Sequence, residues 1–576
     1  MFSKLLIANR GEIALRVMRT AKEMGIGTVA VYSEADRDSL HVRFADEAYL
    51  LGPASPAASY LNVDRVLDIA RRSGAQAVHP GYGFLAENAP FARDVIGQGL
   101  IWVGPHPDAI EAMGDKVRAR QTMAAAGVPI VPGGTEAIAD VAAAHAAAKR
   151  YGLPLALKAS GGGGGKGLKI ARTADEIESA FTTAHREAVA YFKNGTIYAE
   201  RYLENPKHIE LQILADKHGH VLHVGERDCS LQRRHQKLWE ETPPAIPDST
   251  RSAMRSAGVS AAQAIKYDSV GTIECLVSGD EFYFLEMNTR IQVEHTVSEM
   301  VTGLDLIREQ IRVATGDPVG FGQDAIHFSG HSIEVRLNAE DPAADFRPAP
   351  GTITQYREPA GIGVRIDSAA FQGYTISSDY DSLIAKLIVW APDRDQARAR
   401  LRRAIDEFRI EGVPTTLGIL RALIDEPSVV SARYGTATLE EFARGFTGHG
   451  AFGDAPSEAA RPAPEPIRVE INDKLYTVRV LDAPQSAEAT RSAPRIASSK
   501  TVTSSDGNDV ISPMHGIVIE LGVKENDTVN AGQTVAVIEA MKMMNEVRAH
   551  KAGTVSKVHA SLGSTVEAQS PLVTLS

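Results

Sequence analysis

Residues 282 to 295 read Phe-Tyr-Phe-Leu-Glu-Met-Asn-Thr-Arg-Ile-Gln-Val-Glu-His. In an extended backbone, successive side chains alternate faces, so Glu286, Asn288, Arg290, Gln292 and Glu294 point one way and Met287, Ile291 and Val293 the other. Glu and Asn are poor strand formers, and two carboxylates beside an arginine on one face call for a chemical reason. Upstream, Gly271-Thr-Ile-Glu-Cys-Leu-Val277 is a second short strand that places Glu274 opposite them. Hard oxygen donors such as Glu274, Glu286 and Asn288 suit Mg²⁺ shared with nucleotide phosphates. The plainer alternative is a solvated strand face.

A second stretch points to the same chemistry. Leu155-Ala-Leu-Lys158-Ala-Ser runs into Gly161-Gly-Gly-Gly-Gly-Lys166-Gly167 and out through Leu168-Lys-Ile170. Strand, glycine loop and strand make a hinged flap whose bare backbone can close over phosphates. The G-x-x-x-x-G-K-[ST] spacing fails, because Ser160 and Gly167 stand at the wrong places. Alone, the glycine run reads equally well as a flexible linker; Lys158 just before it and the polar strand after it favour phosphate.

The third chemical signal is Glu539-Ala540-Met541-Lys542-Met543-Met544, at the centre of an internal repeat. Offset by 37 positions, Gly516 pairs with Gly553, Val518 with Val555, Thr528 with Thr565, Val529 with Val566 and Ala531 with Ala568, without a gap. Two copies of a short-stranded unit predict a compact β domain with pseudo-twofold symmetry. Lys542 falls at the hairpin between the copies, where a lysine can carry a covalent prosthetic arm. An ordinary surface lysine in a turn is the alternative.

These groups need elements to position them. Lys4 to Ala8 reads as a buried strand, and Gly11 to Met24 as a helix with Ile13, Val17, Ala21 and Met24 on one face, stopped at Gly25. Thr28 to Tyr32, Ala77 to His79 and Leu100 to Val103 continue a parallel α/β pattern to residue 115. No G-x-G-x-x-G follows the first strand, so dinucleotide binding is disfavoured. Residues 116 to 330 are mixed, with a helix near Asp140 to Arg150 and an alternating strand from His208 to Ile213. Residues 331 to 446 add strands at Ser332 to Leu337 and Leu383 to Val389 and a helix near Arg394 to Phe408. Residues 447 to 507 are a linker with a two-strand segment at Ile467 to Leu481, too small for its own core. Its end, Ala483 to Gly507, is aperiodic and rich in Ala, Ser, Thr and Pro; it reads as a tether reaching roughly 80 Å when stretched. Residues 508 to 576 form the repeat domain.

With 576 residues, 44% apolar content and a net charge of −11, the chain is a multidomain protein with no membrane span and no basic cluster for nucleic acid. Its two cysteines, Cys229 and Cys275, and an N-terminus without a signal h-region predict a reducing, cytoplasmic setting.

Four stretches resemble the biotin carboxylase component of biotin-dependent carboxylases, an ATP-grasp enzyme. They are Ile7-Ala-Asn-Arg-Gly-Glu-Ile13, His79-Pro-Gly-Tyr-Gly-Phe-Leu85, Gly225-Glu-Arg-Asp-Cys-Ser230 and Phe284 to His295. Glu-Ala-Met-Lys-Met resembles the biotin attachment signature of carrier domains, with Lys542 at the modified position. The fold this implies is a multidomain α/β and α+β chain. A Rossmann-like pre-ATP-grasp domain, an ATP-grasp domain with a glycine-rich lid and a carboxylase C-terminal domain precede an all-β biotinyl barrel.

The same resemblance implies residue roles. Lys116, Lys158 and the Gly164-Gly165 backbone hold ATP phosphates, and Glu200, Arg201 and Leu203 line the adenine site with His208 and His235 nearby. Glu274, Glu286 and Asn288 hold Mg²⁺ or Mn²⁺, and Lys237 faces the phosphates. Glu294 is the candidate base for bicarbonate, oriented with Arg290, Gln292 and the Val293 amide, and Arg336 stabilises the biotin enolate that attacks CO₂. No segment is long enough for a carboxyltransferase. The link of about sixty residues lacks the larger docking domain of propionyl- and methylcrotonyl-CoA carboxylase α subunits, and is similar to actinobacterial-type acyl-CoA carboxylase α subunits. That implies a biotin protein ligase as modifying partner, an oligomeric complex and a separate carboxyltransferase β subunit. The expected function is ATP- and bicarbonate-dependent carboxylation of the chain's own tethered biotin, for transfer to acetyl- or propionyl-CoA. The alternatives are the corresponding subunit of a methylcrotonyl-CoA or pyruvate carboxylase, an ATP-grasp amide or carbamoyl ligase, and an inactive carrier or scaffold.

Overall fold

A computed structural model of the chain describes residues 1–134, 136–160, 167–192, 194–234, 236–448, 467–471, 474–478, 508–514, 516–540, 543–567 and 569–576. Gly164, Gly165, His235, Lys542 and the expected tether at 483–507 lie outside these residues. The chain divides into two units, Met1–Gly453 and Asp454–Ser576.

The first unit opens with a five-stranded parallel sheet in the order Glu47–Gly52, Gly27–Ser33, Lys4–Ile7, Ala77–His79, Ile101–Trp102. The central strand buries Leu5, Leu6 and Ile7 completely, as a strand covered on both faces must. One face takes the helix Gly11–Glu23 through Ile13, Val17, Met18 and Ala21. The other takes Val66, Leu67, Ile69 and Ala70 of the helix Val63–Ser73, together with Phe91 and Val95. Asn62 caps that helix by accepting from the Arg65 amide at 3.1 Å, and Gly74 ends it at φ +67°.

The strands on either side of residues 161–166 belong to a small layer of their own. Three antiparallel strands, in the order Leu168–Ala171, Leu155–Ala159, Ile197–Arg201, lie under the helices Val141–Tyr151 and Ile177–Phe192. Lys158 pairs with Leu168, so the two strands flanking 161–166 form a closed hairpin.

The largest sheet has eight antiparallel strands in the order Glu281–Asn288, Val270–Ser278, Lys207–Ala215, Val221–Arg233, Gln236–Thr242, His331–Asn338, Leu383–Ala391, Val364–Ser368. The boundary placed at 330/331 from the sequence falls inside this one sheet, because His331–Asn338 pairs directly with Gln236–Thr242. The extended run expected over residues 282 to 295 stops at Asn288. From Thr289 the backbone leaves the sheet edge for the N-terminal domain, where the Thr289 amide donates to Glu87 Oε1 at 3.0 Å. It then turns at Val293 and Glu294 into the helix His295–Thr302.

The second unit holds the hairpin Ile467–Ile471 with Lys474–Val478 and two four-stranded sheets. One sheet is ordered Asp509–Ile511, Pro571–Leu575, Gly553–Val558, Thr528–Val529, and the other Met543–Arg548, Thr534–Ala540, Gly516–Leu521, Thr565–Val566. Each strand of the first copy recurs 37 residues later in the opposite sheet, Gly516–Leu521 as Gly553–Val558 and Thr528–Val529 as Thr565–Val566. Val518, Val529, Val535, Ile538, Val555, Leu572 and Val573 fill the core between them. The strands on either side of Met541 and Lys542 pair with each other, Ala540 opposite Met543.

Candidate active site

Three strands of the eight-stranded sheet and the turn at Glu294 bring one lysine under three carboxylates. Lys237 Nζ is in contact with Glu210 and lies 3.1 Å from Glu274 Oε1 and 2.8 Å from Glu294 Oε1. All three acids are buried. Burial, with Glu294 and Glu274 close by, pushes the Glu210 carboxyl up to about 7 in spite of Lys237 and Arg227. Burial acts the same way on Glu274, but Lys237 and His208 outweigh it and hold that carboxyl below the ordinary range. Glu294 follows the same pattern, its burial overcome by Lys237, Arg336 and Arg227. The cluster therefore holds ionised Glu274 and Glu294, and repulsion among the acids falls on Glu210.

Glu274 is the hub of a second set. Its Oε1 accepts from Asn288 Nδ2 at 2.7 Å and Gln292 Nε2 at 3.1 Å, and its Oε2 lies 3.0 Å from His208 Nε2. Glu286 stands opposite Glu274 in the register of the two strands. Arg290 joins the group from the bend: it donates to Asn288 Oδ1 at 2.8 Å and Gln292 Oε1 at 2.9 Å, while Nε reaches Glu87 at 2.9 Å. Arg336, on the strand His331–Asn338, places Nη2 2.9 Å from Glu294 Oε2 and Nε 2.6 Å from Glu240 Oε1. Burial lowers a guanidinium, yet Glu240 and Glu294 reverse this and raise Arg336 above its usual value.

A third group centres on the three-stranded layer. Lys158 and Arg120 both bind the buried Glu200, Arg120 Nη1 at 2.8 Å from Oε2. Leu203 packs with Val131 and Tyr283, and Arg201 is exposed on the adjoining strand end. Lys116 begins the helix Lys116–Ala125, capped by Asp115. His208 thus meets the carboxylate cluster through Glu274, while Glu200 and Lys158 form a separate pair.

The donor set fits a divalent cation. Glu274, Glu286 and Asn288 offer hard oxygen donors, and three hydrogen-bond donors already converge on Glu274 Oε1 as a cation would. His208, Glu210 and Glu274 also offer ligand atoms within 4.8 Å of one another, as do Glu210, Cys229 and Glu294. Burial raises the Cys229 thiol far above its usual value, which makes it a poor ligand.

Four participants carried no assignment from the sequence: Glu210, Glu240, Glu87 and Arg120. The polar face His208, Glu210, Gln212 of the strand Lys207–Ala215 carried a signal for the first. Glu240 sits in an unbroken run of buried positions, and Glu87 is a single exposed position between buried Ala86 and half-buried Asn88, so neither had a pattern to mark it.

Four family descriptions match the chain. "Biotin carboxylase, N-terminal domain" covers residues 1–110, "Carbamoyl-phosphate synthase L chain, ATP binding domain" 115–320, "Biotin carboxylase C-terminal domain" 334–441 and "Biotin-requiring enzyme" 508–575. The biotin-dependent acyl-coenzyme A carboxylase alpha3 subunit of Mycobacterium leprae is 41% identical over 590 residues, covering 98% of this chain and 97% of its own. A pyruvate carboxylase subunit from Methanothermobacter thermautotrophicus is 49% identical over 447 residues, covering 77% of this chain and 91% of its own. Among solved structures, the biotin carboxylase domain dimer of Hydrogenobacter thermophilus 2-oxoglutarate carboxylase, in complex with MgADP, ADP and bicarbonate, is 48% identical. It aligns with a TM-score of 0.73 over 77% of this chain and 98% of its own.

Proposed function

The chain belongs to the biotin carboxylase family, joined to a biotin carrier domain, and from that premise we propose that it is the α subunit of an acyl-CoA carboxylase acting on acetyl- or propionyl-CoA. It is an ATP-dependent ligase whose cofactors are biotin, ATP and Mg²⁺. The observation that favours the acyl-CoA reading is coverage. The M. leprae relative matches 98% of the chain, carrier and short link included, whereas the pyruvate carboxylase subunit matches 77%. A separate carboxyltransferase subunit completes the reaction, and a biotin protein ligase modifies Lys542.

Bicarbonate is a poor nucleophile and a poor carboxyl donor. An oxygen of bicarbonate attacks the γ-phosphorus in line, ADP leaves, and the carboxyphosphate formed releases CO₂ and phosphate. This demands positioning and charge neutralisation more than covalent help. Lys116, Lys158, Lys237 and the Gly164-Gly165 backbone hold the phosphates, and Glu200, Arg201, Leu203, His208 and His235 the rest of the nucleotide. Glu274, Glu286 and Asn288 hold Mg²⁺, which when bound offsets the charge of the transferring phosphoryl group. Arg290, Gln292 and the Val293 amide orient bicarbonate. Glu294, kept ionised by Lys237 and Arg336, accepts its proton. Arg336, released by the same event, would be free to stabilise negative charge on the biotin that accepts the carboxyl group.

The test is ATP cleavage by the purified protein. Cleavage should require bicarbonate, rise with free biotin and, with the co-purified β subunit, fix labelled carbon into acetyl- or propionyl-CoA. A requirement for an amine would mean an amide ligase, and absence of turnover a scaffold. Lys542→Ala should abolish streptavidin labelling and spare turnover on free biotin; persistent labelling would move the attachment site elsewhere.

A further inference from the structure

The turn Gln292 to Glu294 is gripped from its buried side by two residues with no role assigned above. Lys386 is fully buried on the strand Leu383–Ala391 and donates to the Val293 carbonyl at 2.9 Å. Its charge is balanced by Glu12 at 3.2 Å, from the first helix, and Asp367 at 3.7 Å, from the strand Val364–Ser368. His295 Nδ1 lies 2.7 Å from the Gln292 carbonyl; a carbonyl only accepts, so Nδ1 carries the proton.

A trans peptide points its N–H away from its C=O. With the Gln292 and Val293 oxygens both drawn into the buried network, the Val293 and Glu294 amides turn out of it, and neither finds an acceptor among the described residues. Successive outward N–H groups form a concavity for an anion. We propose that Lys386 is a positioning residue for the bicarbonate step: its hold on the Val293 carbonyl, beside that of His295 on Gln292, presents the amides of residues 293 and 294 to the bicarbonate anion. This rests on the carboxylase reading above. It extends the bicarbonate site from the Val293 amide alone to a pair, supported by a lysine that meets neither substrate nor metal ligands.

In Lys386→Met the KM for bicarbonate should rise about tenfold, as expected for one lost charge-assisted hydrogen bond, with the KM for ATP changed less than about twofold. Lys386→Arg, which restores charge and donor, should recover part of the loss. An unchanged bicarbonate KM, or an equal rise in both constants, overturns the proposal. Because the methionine variant leaves Glu12 and Asp367 buried without their partner, the wild-type protein is read as well. Hydrogen exchange resolved to single amides should slow at 293 and 294 when bicarbonate is added with MgADP. No slowing there overturns the proposal even if the variant does not fold. Wild-type protein without bicarbonate-dependent ATP cleavage would instead remove the functional reading itself.

Discussion

Glu294 shows how one side chain is prepared for its role by its neighbours. Two cations at 2.8 and 2.9 Å keep it ionised where burial alone would protonate it. A carboxylate so well paired is a weak base until Lys237 transfers to phosphate, which ties proton transfer to the presence of nucleotide. Glu294→Gln should therefore lower kcat by about 10² to 10⁴, the usual worth of a positioned general base, while ATP binding measured by calorimetry stays intact. A different residue contributes to the response to acid. His79 is buried in the N-terminal sheet, accepts from the Gly81 amide at 2.9 Å and lies 3.1 Å from Gln310 Oε1. Burial lowers its imidazolium from 6.5 to about 3. Below the unfolded value the denatured chain takes up a proton that the folded chain refuses. This stability is thus complete above 6.5 and lost as pH falls from there toward 3. Between about pH 7 and pH 5 the loss should be about 2 kcal/mol from this group, seen as a lower urea midpoint, and His79→Asn should flatten that slope.

At the scale of elements, the repeat gives the sharpest packing constraint. Gly516 and Gly553 occupy equivalent positions in the two copies, and a Cβ at either meets a neighbouring backbone oxygen: Glu539 O at 2.5 Å and Ser576 O at 2.8 Å. Backbone inside a sheet cannot step aside as a flexible side chain does. Gly516→Ala should cost about 1 to 3 kcal/mol, as overpacking does, lowering the transition of the second unit in calorimetry of the full chain. The repeat was readable because equal spacing and small residues are local facts. The strand Lys207–Ala215 was readable by its alternation, with His208, Glu210 and Gln212 on one side. The same alternation misled beyond Asn288, since a period of two says nothing about where a strand leaves its sheet. Thr289 and Arg290 leave it to reach Glu87, about two hundred residues earlier in the chain. Glu240 was hidden for the related reason that register between distant strands has no local signature: it matters because Gln236–Thr242 lies beside the strand that carries Arg336.

At the scale of the whole molecule, the residues assigned to nucleotide, metal and bicarbonate, from Lys116 to Arg336, lie within Met1–Gly453, and Lys542 within Asp454–Ser576. Each unit has buried clusters of its own. The parallel sheet of the first is closed by Leu6, Val29, Ile69 and Phe91, and the second is filled by Val518, Ile538, Val555 and Leu572. Separate cores imply separate folding, and a carrier need not be intact for the ATP chemistry to run. A chain ending at Gly453 should keep bicarbonate-dependent ATP cleavage and carboxylation of free biotin to within about twofold of the full protein, since free biotin replaces the tethered group. It should lose streptavidin labelling and all transfer to acyl-CoA at low free biotin, because tethering acts by raising the local concentration of the carrier. If ATP cleavage with free biotin collapsed in the truncated chain while its thermal transition stayed in place, residues of the second unit would have to belong to the carboxylation site itself.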